Sequence, residues 1–100
     1  MTREEAMAAL EKCRQEIDAI DLELLALLNR RTRVVERIGQ IKESVDLPVY
    51  EPKREHAVFR NVTENNAGPL DGDALQRIFE RIIDEMRSLQ KMRRQRESQR

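Results

Sequence analysis

One apolar seam constrains this chain more than any other feature. Between about Thr2 and Ser44, Leu10, Cys13, Ile17, Ile20, Leu24 and Leu27, then Val34, Ile38 and Ile41, recur at steps of three and four. That spacing predicts a single amphipathic helix with a heptad-like stripe over about five repeats. At 1.5 Å per residue such a helix is roughly 60 Å long. The remaining chain is too short to cover that length, so part of the stripe is expected to meet another subunit.

The residues after the seam break its rhythm. Pro48 interrupts residues 45–50, and a second helix is expected from Glu51, with Pro52 in its first turn, where a missing N–H costs nothing. It runs through Val58, Phe59 and Val62 to about Asn65. Asn66, Ala67, Gly68 and Pro69 read as a loop, and a third helix should start near Asp71 or Asp73, either of which suits a cap. Its stripe is Leu75, Ile78, Phe79, Ile82, Ile83, Met86 and Leu89. Residues 93–100 are polar throughout and are expected to fray as a tail or linker stub beyond a domain spanning 1–92. No strand pattern and no internal repeat is present, so the fold class is all-α: a long, a short and a medium helix.

Composition removes several classes of function. The 19 basic and 19 acidic side chains cancel, which leaves no global field for nucleic acid. The single Cys rules out an internal disulfide framework and suits a reducing, cytoplasmic setting. The longest apolar run, residues 24–28, is far too short for a bilayer, and no secretory signal is read at the N-terminus. His56 is flanked by charges and has no Cys or His neighbour with metal-ligand spacing, so neither metal nor cofactor is expected.

Three polar residues sit where apolar ones belong. Arg31 falls one heptad after Leu24 and one before Ile38, and an Arg on a buried seam requires a compensating anion. Lys42 lies eleven residues on, within about 20° of the same face and about 16 Å along the axis. Gln90 follows Met86 by four and Ile83 by seven, so it points inward from the third helix. Each has an ordinary reading as well. Arg31 can be an ion pair or register device, Lys42 a solvated charge, Gln90 a helix-to-helix hydrogen bond. Cys13 fits the seam as a core residue. Arg54 and Glu55 open the second helix close to Pro48, so polar groups converge from three helices, which favours a small anionic ligand.

These residues resemble a known family. Residues 17–31 (IDAIDLELLALLNRR) are similar to the first helix of the all-α chorismate mutases, and 38–42 (IGQIK) continue the match. Residues 48–55 (PVYEPKRE) resemble that family's loop and second-helix start, and 78–83 (IFERII) through Gln90 its third helix. The likeness covers about residues 5–92. It implies an intertwined homodimer of three-helix chains that converts chorismate to prephenate in phenylalanine and tyrosine biosynthesis, without metal or cofactor. It implies that Arg31 and the partner subunit's Arg14 bind the substrate carboxylates. By the same resemblance Lys42 and Gln90 hydrogen-bond the ether oxygen, Arg54 supports the carboxylate site, and Glu51 and Glu55 contact the ring hydroxyl. Glu51 stands where some members have Asp, and Met86 where some have a carboxylate-binding Ser. Spacing agrees on the second subunit: Arg14 and Arg31 are about 25 Å apart along one helix and about 100° apart around it, too far for one small ligand.

The loop 64–70 (ENNAGPL) resembles one branch, the mutase domain fused to the N-terminus of some bacterial DAHP synthases, so a DAHP synthase domain or partner is expected. Three other readings stay open. An isochorismate pyruvate lyase would share the fold and pocket. A regulatory domain of a DAHP synthase would bind chorismate or prephenate. A ligand-free coiled-coil module would pair Arg31 and Lys42 with acids of the protein itself.

Overall fold

The computed structural model describes residues 1–99. Three helices follow one another: α1 (Arg3–Ser44), α2 (Pro52–Asn65) and α3 (Gly72–Ser98). The bounds of α1 and α2 and the start of α3 lie within a residue or two of those expected from the seam, the Pro52 start and the Asp71 cap. The chain divides into two units, Met1–Val34 and a second one beginning at Val35.

The first unit is helix alone. Its stripe is open: Leu10, Ile17, Ile20, Leu24 and Leu27 are all exposed. Cys13, expected in a core, is exposed as well. The position is apolar by pattern, but the surface able to cover it does not come from this unit.

The second unit holds the last turns of α1 with α2 and α3. Leu75, Ile83 and Lys42 are its buried residues, and α2 packs on α3. Helix α1 ends in a Schellman turn, in which the amide of Leu47 donates to the Lys42 carbonyl and that of Asp46 to the Glu43 carbonyl. Asp46 takes the left-handed conformation this turn requires (φ 58°), a place usually held by Gly. Asp71 caps α3, its Oδ1 accepting from the Ala74 amide at 2.7 Å. Loss of such a cap costs about 1 kcal/mol. Asp71→Ala should therefore lower the unfolding free energy by that amount and leave activity intact, as paired chemical unfolding and rate measurements would show.

Helix α3 continues to Ser98, through the residues 93–98 that the sequence marks as a polar tail. Two side chains tie this stretch down. Arg93 pairs with Glu36 at 2.9 Å, and Arg94 Nη1 donates to the Leu47 carbonyl at 2.7 Å. The polar pattern hid this because both partners are more than 45 residues away in sequence.

Candidate active site

The site is assembled around the end of α1. Lys42 is 8% exposed, the only charged residue among the described residues that is buried. Its Nζ donates to the Val49 carbonyl at 3.0 Å and forms an ion pair with Glu51 Oε1 at 2.5 Å. An ammonium has three N–H groups. Two are engaged inside the protein, by Val49 and Glu51, and the third is not. The Schellman turn makes this possible by folding residues 45–51 back over the helix end.

Glu51 shows what that arrangement displaces. It occupies the N-cap position of α2, where a side-chain oxygen ordinarily accepts from the first helical amides, yet it makes no side-chain cap. Its carboxylate turns to Lys42 instead. A local helix contact has been given up for the orientation of a cation, a pattern characteristic of functional sites. The ion pair by itself is also what a ligand-free helical module would show, so it does not identify the site.

Gln90 projects from α3 onto the same stripe of α1. Its Nε2 donates to the Val35 carbonyl at 3.0 Å. Val35, Gly39 and Lys42 lie at i, i+4 and i+7, one face of the helix. Gly39 keeps that face low: a Cβ there would sit 3.5 Å from Gln90 Cγ, in ordinary van der Waals contact. The amide retains a second N–H. One flank of Gln90 opens on a cleft of about 390 Å³, also walled by Gly39, Val49, Arg93 and Arg94. Lys42, Glu51 and Glu55 are not among its walls.

Glu55 lies in the first turn of α2 and meets a residue that the pattern did not single out. Arg87 Nε donates to Glu55 Oε2 at 3.0 Å and Nη2 to Oε1 at 2.8 Å, a two-pronged pair. Nη2 also reaches Asp84 at 3.2 Å, and the guanidinium lies 5.0 Å from the Tyr50 ring centre. The hydrogen bond to Glu55 raises the Arg87 pKa above its ordinary value. Arg87 follows Ile83 by four residues, so its inward direction was available in the sequence; its partner, 32 residues away, was not.

The other expected residues are placed less closely. Arg54 is exposed on α2, and Met86 is half-buried on α3. Arg14 and Arg31 both fall in the first unit, on one unbroken helix, so their separation of about 25 Å holds. Among the described residues there is no group of three or more His, Cys, Asp or Glu that could hold a metal ion.

The family model for chorismate mutase type II matches residues 13–91. The chain belongs to the chorismate mutase type II family. A bifunctional chorismate mutase/prephenate dehydratase of Aquifex aeolicus is 39% identical over 85% of this chain. The chain spans only 25% of that relative's length and 19% of a Neisseria gonorrhoeae relative of the same name. Solved chorismate mutases match more evenly. The Thermus thermophilus enzyme superposes with a TM-score of 0.81 at 31% identity, covering 83% of this chain and 94% of its own. The Helicobacter pylori chorismate mutase, solved in complex with prephenate, gives 0.78 at 32%, covering 84% and 91%. The three-helix, all-α architecture is thus that of the chorismate mutases. No helix among the described residues is long and apolar enough to cross a membrane.

Proposed function

We propose that this chain rearranges chorismate to prephenate as a homodimer with two equivalent sites. The observation that carries the reading is the buried Lys42, held by Val49 and Glu51 with one N–H unspent, within a type II mutase fold. The prephenate held by the Helicobacter pylori relative supports the ligand class.

The reaction breaks one C–O bond as a C–C bond forms, and asks for no nucleophile or acid–base relay. It requires the enolpyruvyl arm to be held over the ring, which removes conformational freedom. It also requires stabilisation of the negative charge that grows on the ether oxygen. In this reading Lys42 is the charged donor and Gln90 the neutral one. Arg31, the partner subunit's Arg14 and Arg54 bind the two carboxylates, and Glu55 accepts from the ring hydroxyl. Glu51, expected at that hydroxyl, is better placed to aim Lys42. Met86 packs at the position where some members use Ser.

The open stripe of α1 supports the dimer. Leu10, Ile17, Ile20, Leu24 and Leu27 on that stripe are exposed in the single chain. A two-fold arrangement would cover them and bring an Arg14 to each Arg31. Sedimentation at micromolar concentration should give twice the chain mass, and a stable active monomer would overturn the shared site.

Attachment to a DAHP synthase rests on the 64–70 loop resemblance alone, whereas the bifunctional relatives are named for prephenate dehydratase. The decisive experiment is product analysis of the purified chain with chorismate and with isochorismate. Prephenate from chorismate is the expected result. Pyruvate from isochorismate as the main product would assign a lyase, and binding without turnover a regulatory domain.

A further inference from the structure

We propose that Arg87 is a positioning residue that fixes the Glu55 carboxylate as a one-directional acceptor for the substrate's ring hydroxyl. This rests on the reading of Glu55 given above. Both Glu55 oxygens are engaged by one planar guanidinium, at 3.0 and 2.8 Å, so the plane of the carboxylate is fixed as well as its place. An ionised carboxylate offers about four lone-pair sites. The fork occupies two on one side. Those that remain point away from Arg87 and accept only from a donor, which selects a hydroxyl over an ether or a carbonyl at that spot.

Arg87 is itself immobilised by groups from separate elements. Asp84 holds it along α3, and Tyr50, in the loop that also carries Val49 and Glu51, lies against its guanidinium at 5.0 Å. The cation therefore refers the α2 carboxylate to both α3 and the loop that aims Lys42. Its side chains are only 26% and 23% exposed, so the two-pronged pair contributes to folding as well as to direction. A role in recognition is therefore read from kinetics of the folded variants, with melting as the separate measure of stability.

The test is a double-mutant cycle on the full chain, read by steady-state kinetics with chorismate and by thermal melting. Arg87→Met should raise KM by about tenfold with kcat changed far less, because the hydroxyl contact is made in ground and transition states alike. Arg87→Lys keeps the charge but not the fork and should recover only part of that loss. Glu55→Gln should itself raise KM, and adding Arg87→Met to it should cost less than a further twofold, since the two act as one unit. Multiplying effects, or an unchanged KM in a folded Arg87→Met protein, overturn the proposal. Should Arg87→Met not fold, the Lys variant decides, with a wild-type KM as the overturning result. Wild-type KM in Glu55→Gln removes the role of Glu55 and the proposal with it, while a wild type inert toward chorismate overturns the functional reading itself.

Discussion

Lys42→Ala should lower turnover by about 10²–10³-fold while the Michaelis constant moves only a few-fold. The asymmetry follows from where the charge appears. The ether oxygen of chorismate is a weak acceptor in the ground state and a strong one as the C–O bond breaks. An interaction that strengthens only on the way to the transition state acts on the rate constant. The structure adds a reason to expect the variant to fold. Truncation leaves no isolated charge inside, because Glu51 is 46% exposed and sits at the N-cap of α2, where its carboxylate can turn to the free amides. Single-turnover and steady-state measurements, with circular dichroism as the control, check the outcome. A Lys42→Ala protein with near-normal turnover would show that the ammonium serves Glu51 alone.

The second large effect is a pH dependence created where none is inherent. Gln90 is neutral at every working pH. Gln90→Glu places an acid opposite both the Val35 carbonyl and the ether oxygen in the proposed site. Ionised, it has no proton to donate and repels the developing charge. Protonated, it donates as the amide does. A carboxyl group titrates ordinarily at about 4.3 and is pushed upward by partial burial. Activity should accordingly be suppressed by about 10²-fold at neutral pH and climb as pH falls through that pKa. Turnover against pH for wild type and variant decides it. Parallel profiles would remove Gln90 from the ether oxygen.

Where the chain signals its structure locally, the sequence was a sufficient guide. The period of α1, Pro52 opening α2 and Asp71 capping α3 are each set by a few adjacent residues, and each lies where expected. Arg31, Lys42 and Gln90 stood out because polar groups on an apolar stripe break a local pattern. What escaped notice depends on pairs distant in sequence. Arg87 follows Ile83 by four residues, but its partner Glu55 comes from another helix, 32 residues away. Arg93 and Arg94 looked like a loose tail until Glu36 and the Leu47 carbonyl received them. Cys13, expected in a core, is exposed, because a stripe does not reveal which surface covers it.

The turn that ends α1 has a kinetic meaning as well as a geometric one. Lys42 and Glu51 are nine residues apart, so their meeting closes only a short loop. The entropic cost of closure rises with the logarithm of loop length, and short segments close within about 10–100 ns. The charged donor can thus acquire its aim as soon as α1 and its terminal turn exist, long before a slower, concentration-dependent encounter could bring in a second chain. In the proposed dimer, orientation at the reacting atom would be a low-contact-order property of one segment, and the grip on the rest of the substrate would be left to the late steps of assembly.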